Sequence, residues 1–188
     1  TLLRALERLD DLEWTAAFVG RPASGAAAQE WERHAAASPV RGRVEVPGPL
    51  VGPELEREWS RTDLLVLPSR VETFGLVVTE AFAHGIPALV GAGTGAVEAL
   101  VGDGLDPPPG AAADPSDPEA LAAALRAFLA DPQVRDGWRQ HALARRERLR
   151  PWSETAREVL AALPVGAMRR VSGPTRLRRP ARYRRPHS

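Results

Sequence analysis

The sequence predicts an α/β fold in which helices flank a Rossmann-like parallel sheet. Two observations carry this prediction. Helical and extended patterns alternate along the chain, as they do in consecutive β-α-β units. The segment LLVL at 64–67 is a continuous apolar run, as expected for a strand that is buried on both faces. A chain of 188 residues with 44% hydrophobic residues has room for one such core and a short extension.

The individual elements follow from local signals. Short apolar runs predict four strands, at Trp14–Val19, Arg43–Val46, Leu64–Leu67 and Pro87–Val90. Apolar spacing, prolines at first helical positions and caps predict helices over 1–9, 25–37, 53–60, 76–84, 96–101, 118–130, 134–149 and 153–163. The proline-rich segment from Pro107 to Pro115 is predicted to be a loop with little regular structure.

Composition excludes several classes of site and indicates the compartment. The chain contains no cysteine, which excludes disulfides, thiolate metal sites and cysteine nucleophiles. It has neither a run of about 18 apolar residues nor a charged start followed by an apolar block, so we expect a cytoplasmic protein with neither a membrane span nor a signal peptide. Because the first residue is Thr1, we also expect that the chain is part of a longer one.

The last twenty residues differ sharply in charge from the rest. Residues 169–188 contain eight arginines and no acid, which leaves 17 arginines against 24 acidic residues in 1–168. We predict one domain over 1–163 and a disordered Arg/Pro-rich tail over 164–188. The tail would suit contact with nucleic acid or with the surface of an anionic membrane. It would equally suit an inert extension in a genome of biased composition.

The segment Pro68–Val90, PSRVETFGLVVTEAFAHGIPALV, follows the buried run. A strand, a loop with a glycine and then a helix is the general geometry by which α/β folds bind phosphates, because the first turn of a helix offers unpaired N–H groups. The loop follows the carboxyl end of a strand, where open parallel sheets bind their ligands. The amides of Phe74, Gly75 and Leu76 are therefore candidates to hold a diphosphate.

Glu72 and Glu80 lie on either side of this glycine. A carboxylate repels a phosphate but accepts charge-assisted hydrogen bonds from neutral hydroxyls. Glu80 would then bind the vicinal hydroxyls of a ribose, and Glu72 those of a second sugar beyond the phosphates. A phosphate between two polyols describes a nucleotide sugar. The alternative is a solvated loop glutamate and a helix glutamate that only favours the helix dipole.

The segment Pro68–Val90 resembles the signature of the retaining glycosyltransferases of family 4 and their GT-B relatives. Four further segments resemble that family in order and spacing, so that the resemblance covers about residues 1–163: RVEVPGPLVGPELEREWSRTDLLVL, GAGTGAVEALV, DPEALAAALRAFLADP and WSETA. The resemblance implies that the fold is the C-terminal half of a GT-B enzyme, which binds the donor.

The resemblance also implies roles for individual residues. Glu72 is the candidate catalytic residue, lying against the donor sugar as an orienting group rather than an established nucleophile. The candidates for contact with the donor nucleotide and its diphosphate are Phe74, Gly75, Leu76, Glu80, Val77 and the strand residue Val46. Glu80 would bind the ribose, and the last two would border the nucleotide.

The family reaction transfers a sugar, with retention of anomeric configuration, from a UDP- or GDP-linked donor to an acceptor, here an unknown glycan, lipid or small molecule. No Asp-x-Asp motif is present, so we expect diphosphate stabilisation without a metal and without a cofactor. The family's cationic diphosphate ligands and its acceptor-binding N-terminal domain would lie upstream of Thr1. We therefore expect the chain to be inactive alone. The alternative is a non-catalytic paralogue that binds nucleotide sugars.

Three other features are weaker candidates. Arg70 could approach a phosphate or be a solvated loop residue. His84 follows the predicted helix, where a basic residue favours the helix dipole. Gly93-Thr94-Gly95 resembles the family's second glycine-rich turn, which lines the crevice, although alone it is only a turn signal.

Overall fold

The computed structural model describes residues 1–21, 24–102, 104 and 106–162. Leu163 and the predicted tail over 164–188 lie outside the described residues. The chain divides into two compact units, of which the first is Thr1–Leu149 and the second begins at Arg150. Within the described ranges, no helix has both the length and the apolar character that are needed to cross a bilayer.

The described part of the chain contains five strands and eight α-helices, which alternate as far as the fifth strand and end in three consecutive helices. The strands are β1 Ala16–Val19, β2 Val44–Gly48, β3 Leu65–Leu67, β4 Ala88–Gly91 and β5 Gly110–Ala113. The helices are α1 Leu2–Leu6, α2 Ala26–Ala37, α3 Pro53–Ser60, α4 Leu76–Ala83, α5 Ala96–Val101, α6 Pro118–Ala130, α7 Pro132–Arg148 and α8 Trp152–Ala162. Two 3-10 turns, Glu7–Leu9 and Arg41–Arg43, complete the order.

All strand pairs are parallel, and they form two hydrogen-bonded groups rather than one continuous ladder. β1 pairs with β2, and β3, β4 and β5 pair in that order. Both groups nevertheless contribute to one core, because Phe18 of β1 and Val66 of β3 pack against the same buried cluster. The parallel α/β architecture that the sequence predicts is confirmed.

Helices cover both faces of the three-stranded group. Leu89 of β4 belongs to a core cluster with residues of α1 and α6, whereas its neighbours Ala88 and Val90 belong to a second cluster with residues of α4, α5 and α7. Successive side chains of a strand point to opposite faces. All four residues of β4 are buried, so the strand carries apolar side chains at Ala88, Leu89 and Val90 and a glycine at Gly91, with no polar side chain.

The strand β5 corrects the prediction of a loop between Pro107 and Pro115. Its sequence, Gly-Ala-Ala-Ala, contains none of the β-branched or aromatic residues that are typical of strands. Pairing with β4 creates the strand, in the register Ala88↔Gly110 to Gly91↔Ala113. Gly110 has φ +142°, and a Cβ there would lie 1.9 Å from the carbonyl oxygen of Ala88. Close backbone approach therefore explains the glycine.

Several element boundaries also differ from the prediction, among them the starts of β1 and α7. β1 begins at Ala16, the first residue that pairs with β2, and the indole of Trp14 before it donates a hydrogen bond to the Leu9 carbonyl at 2.8 Å. α7 begins at Pro132, because the side chain of Asp131 accepts hydrogen bonds from the amides of Gln133 and Val134. An aspartate cap followed by proline at the first position is a strong helix start.

In the described part of the second unit, the regular element is helix α8. Arg150 forms ion pairs with Glu154 at 3.8 Å and with Glu158 at 2.8 Å, which lie one and two turns along the same chain segment. Val159 and Leu160 are 56% and 54% exposed. Ion pairs within the segment thus stabilise the helix, and these two apolar side chains are exposed on its surface.

Candidate functional site

The loop between β3 and α4 turns at Gly75 in a left-handed conformation. Gly75 has φ 75° and ψ 59° and is the N-cap of α4. Its carbonyl accepts a hydrogen bond from the amide of Val78 at 2.8 Å, which closes the first helical turn. Its Cα packs against α5, since a Cβ at this position would lie 3.2 Å from the Cβ of Ala96. The glycine therefore meets both a conformational and a steric requirement.

The helix that follows is anchored by its buried face. Val78, Ala81 and Phe82 are 0% exposed, and Val78 and Phe82 belong to one core cluster with Ala88 and Val90 of β4, whereas Leu76 is 57% exposed. Glu80 is exposed and lies four residues after Leu76, on the same helix face. The rigid face of α4 thus fixes the direction in which Glu80 leaves the helix.

The two glutamates of the signature have few partners inside the protein. Glu72 is half-buried, and its carboxylate accepts a hydrogen bond from the amide of Thr73 at 3.0 Å. Neither Glu72 nor Glu80 forms an ion pair with any residue that the structure describes. Both carboxylates therefore keep free acceptor positions on either side of the Gly75 turn.

Apolar side chains are exposed beside these carboxylates. Phe74 is 42% exposed and Leu76 57%, and Val77 is half-buried on the same helix turn. The turn before α4 and α4 itself carry five of the residues that the sequence predicts to bind the nucleotide: Phe74, Gly75, Leu76, Val77 and Glu80.

Val46 is not part of this group of residues. It lies on β2, in the other hydrogen-bonded group of strands, and is 48% exposed. Arg70 is exposed, and its guanidinium donates to the Thr1 hydroxyl at 3.3 Å. His84 is the C-cap residue of α4, in agreement with its predicted place at the end of that helix. In the described part of the chain, no cluster of three or more His, Asp or Glu side chains could hold a metal ion.

A second loop, from Gly91 to Gly95, lies directly against the Glu72 loop. The amide of Gly95 donates to the carbonyl oxygen of Glu72 at 2.9 Å. A Cβ at Gly95 would lie 1.9 Å from the Thr73 carbonyl oxygen, and a Cβ at Gly91 would lie 2.2 Å from that of Ser69. The sequence marks this segment as a turn, but the contacts depend on the fold. The available signals are that Gly91 ends a buried strand and that Gly93-Thr94-Gly95 resembles the family's second glycine-rich turn.

Comparison with known proteins identifies the family and part of the architecture. Residues 1–145 match the family described as glycosyl transferases group 1. The chain is 34% identical over 151 residues to D-inositol 3-phosphate glycosyltransferase 1 of Catenulispora acidiphila, covering 77% of this chain and 34% of that protein. It is 35% identical over 174 residues to the D-inositol 3-phosphate glycosyltransferase of Xylanimonas cellulosilytica, covering 90% of this chain and 39% of the relative.

Solved structures show the same fold. The Anabaena HepE protein in complex with UDP-glucose superimposes with a TM-score of 0.72 at 24% identity, covering 86% of this chain and 44% of that one. Sucrose-phosphate synthase from Thermosynechococcus elongatus gives a TM-score of 0.69 at 26% identity, with 86% and 42% coverage. The chain therefore spans less than half the length of these relatives, as a Rossmann-like C-terminal half of a GT-B glycosyltransferase would. By its match over residues 1–145, the chain belongs to the glycosyl transferases group 1 family.

Proposed function

We propose that this chain is the donor-binding half of a retaining glycosyltransferase of the family 4 type, which moves a hexosyl group from a nucleoside-diphosphate sugar. One observation carries the proposal. Two carboxylates without a cationic partner among the described residues flank the left-handed Gly75 at the N-terminus of α4. This arrangement places a carboxylate that can accept hydrogen bonds from sugar hydroxyls on each side of an anion-binding helix N-terminus.

The diphosphate would bind at the first turn of α4. The backbone amides of Phe74, Gly75 and Leu76 would donate to its oxygens, and no side chain at Gly75 obstructs the approach. The partial positive charge of a helix N-terminus stabilises an anion by about 0.3–1 kcal/mol at an exposed site. Charge grows on the diphosphate as the glycosidic bond breaks, so these donors would also stabilise the transition state. We propose that this stabilisation is independent of a metal ion.

The two glutamates would hold the sugars on either side. Glu80 would accept hydrogen bonds from the vicinal hydroxyls of the ribose, and Glu72 would orient the transferred sugar through its hydroxyls. Val77 and the exposed Val46 would border the nucleotide. Glu72 then acts by contact with the reacting sugar, and retention of configuration follows from the family reaction rather than from a covalent step at Glu72.

The names of similar proteins support a nucleotide-sugar donor of one of two kinds. HepE was solved with UDP-glucose, and a similar mannosyltransferase of Mycobacterium tuberculosis is described as GDP-mannose-dependent. We propose a UDP- or GDP-linked donor and an acceptor that is a glycan, a lipid or a small molecule. Because the chain covers only 34% and 39% of two curated relatives, we assign sugar transfer to the whole protein and donor binding to this part.

Isothermal titration of the 188-residue chain with UDP, GDP, UDP-glucose and GDP-mannose tests the proposal. We expect the chain to bind either UDP and UDP-glucose or GDP and GDP-mannose. Glu80→Gln should weaken that binding about 10- to 100-fold, as expected for loss of a charged hydrogen bond. Glu147→Gln is the matched control, since Glu147 is an exposed helix glutamate on α7. Failure of a folded wild-type chain to bind any of the four ligands would overturn the proposal.

A further inference from the structure

Gly95 occupies a position where glycine is needed for space and not for backbone conformation. Its φ of −62° and ψ of −14° are ordinary right-handed values, which any residue adopts. A Cβ would nevertheless lie 1.9 Å from the carbonyl oxygen and 2.4 Å from the carbonyl carbon of Thr73. The absence of a side chain at Gly95 therefore serves one purpose, which is direct contact with the loop that carries Glu72.

The same loop is held at two other points. Gly91, at the end of β4, would place a Cβ 2.2 Å from the carbonyl oxygen of Ser69. Gly75 packs its Cα against the fully buried Ala96, the first residue of α5. Together with the hydrogen bond from the Gly95 amide to the Glu72 carbonyl at 2.9 Å, these contacts fix the main chain from Ser69 to Gly75. We call the Gly91–Gly95 segment with Ala96 the glycine clasp.

The side chain of Thr94 forms hydrogen bonds within the glycine clasp. Its hydroxyl donates to the carbonyl oxygen of Gly91 at 2.8 Å and accepts from the amide of Ala96 at 3.3 Å. The side chain thus ties the glycine that contacts Ser69 to the residue that supports Gly75. Hydroxyl bonds to nearby backbone groups are a general means of fixing a turn.

We infer that Gly95 and Thr94 are positioning residues that set Glu72 against the donor sugar. This inference rests on the proposed function. The hydrogen bond from the Gly95 amide and the close contact between Gly95 and the Thr73 carbonyl fix the main chain at Glu72. The Thr73 amide in turn donates a hydrogen bond to the Glu72 carboxylate at 3.0 Å. An error of about 1 Å in such a group is enough to lose most of its effect on a bound substrate.

Glu80 depends on other contacts. The buried face of α4, with Val78 and Phe82 at 0% exposure, sets its direction. A change at Gly95 or Thr94 loosens the main chain that carries Glu72 as well as the diphosphate amides of Phe74 and Gly75. It should therefore weaken the binding of a nucleotide sugar, which contacts Glu72, more than the binding of the free nucleotide, which does not. The property that reports this is the additional affinity of a nucleotide sugar over its free nucleotide diphosphate.

The first experiment measures that difference by titrating wild type, Gly95→Ala, Thr94→Val and Thr94→Ser with UDP and UDP-glucose and with GDP and GDP-mannose. We expect Gly95→Ala to weaken nucleotide-sugar binding by about tenfold relative to the change in nucleotide binding. Thr94→Val keeps the shape of the side chain and loses the hydroxyl, so it should weaken nucleotide-sugar binding in the same way but by a smaller factor. Thr94→Ser retains the hydroxyl and should bind the nucleotide sugar as the wild type does. Gly137→Ala is the matched control, because Gly137 lies within α7 and a Cβ there meets nothing within 4 Å.

The second experiment needs no ligand. Hydrogen exchange of the amide at position 95, which is bonded to the Glu72 carbonyl, reports the clasp directly. We expect faster exchange there and at Thr73 to Gly75 in Gly95→Ala and Thr94→Val, and wild-type exchange in Thr94→Ser and Gly137→Ala. Unchanged exchange in both former variants would overturn the inference. Changed exchange with equal weakening of nucleotide and nucleotide sugar would overturn the assignment to the sugar side.

The two experiments separate this inference from the proposed function. If the wild-type chain binds none of the nucleotides, the proposed function fails and with it the positioning role, while the exchange data still decide whether the clasp holds the loop. If the wild-type chain binds nucleotide sugars and every clasp variant binds them equally well, only the further inference fails.

Discussion

The indole ring of Trp59 stacks on the imidazole ring of His84, with ring centroids 5.3 Å apart and planes inclined by 15°. Trp59 lies on α3, a helix without a buried residue, and His84 caps the C-terminus of α4. Glu56, one turn before Trp59, also lies 4.0 Å from the His84 ring. The stack therefore joins α3 to the helix that carries Glu80.

Trp59→Ala should destabilise the domain through loss of this stack. Full truncation of a buried Trp costs about 3–5 kcal/mol, and since Trp59 is half-buried we expect about 1–3 kcal/mol in chemical denaturation. Trp59→Phe retains a ring and should cost less than half as much. Equal stability of Trp59→Ala and the wild type would show that α3 does not depend on the stack.

Gly75→Ala should be more costly than the same change at Gly93. Both residues have positive φ, at 75° and 73°, but a Cβ at Gly93 meets nothing within 4 Å, whereas at Gly75 it lies 3.2 Å from Ala96 and 3.3 Å from Val78. A left-handed alanine costs roughly 1–2 kcal/mol, and crowding adds to this only at Gly75. Thermal unfolding of the two variants should rank Gly75→Ala as the less stable, and the reverse order would contradict the packing against α5.

Glu7 should contribute to stability in a pH-dependent way. Burial raises the pKa of its carboxyl, but hydrogen bonds from Ser38 and His34 outweigh burial, and the pKa lies below its ordinary value. The donors are the Ser38 hydroxyl at 2.7 Å and the His34 ring at 3.0 Å. Because the folded pKa is depressed, this stability is present above the unfolded pKa of Glu7 and is lost as the pH falls through the folded value.

The corresponding measurement compares wild type with Glu7→Gln in urea unfolding from pH 3 to pH 7. We expect the variant to be about 1 kcal/mol less stable near neutral pH, as for loss of a hydrogen-bonded charge. The difference should narrow as the pH falls below about 4.5, the ordinary range of a glutamate pKa. A difference that stays constant over this range would show that the ionised carboxylate contributes no specific stability.

Asp131 should be important for the junction between α6 and α7. Its side chain caps α7 by accepting from the Gln133 and Val134 amides, and the same residue ends α6. Loss of an aspartate cap costs about 0.5–2 kcal/mol. Asp131→Ala should therefore lower the free energy of unfolding by about 1 kcal/mol, while Asp131→Asn should retain most of it. If both variants are equally unstable, the charge and not the cap geometry is responsible.

The layer architecture could be predicted because its signals are local. The run at 64–67 gives β3, and α4 ends at Ala83, one residue before its predicted end at His84. β5 could not be predicted, since Gly110–Ala113 has no strand-forming side chain and becomes a strand only by pairing with β4. The two separate hydrogen-bonded groups of strands likewise depend on pairing in three dimensions.

The same distinction applies to the candidate site. Glu72, Gly75 and Glu80 stand in one contiguous segment, so their spacing and the chemistry of carboxylates and helix N-termini were sufficient to select them. The role of Gly95 could not be predicted, because its backbone conformation is ordinary and its partner Thr73 lies 22 residues away in the chain. Contacts between two loops at the carboxyl ends of neighbouring strands require the fold itself.

The central claim is that the Gly75 turn holds the diphosphate of a nucleotide sugar. Titration of the ¹⁵N-labelled chain with UDP and GDP, followed by amide chemical shifts, tests it most directly. We predict saturable shifts that are largest at Phe74, Gly75 and Leu76 and extend to Glu80. No saturable shift at these amides, or shifts confined to another surface such as the open groove lined by Trp14, Arg43 and Asp63, would contradict the account.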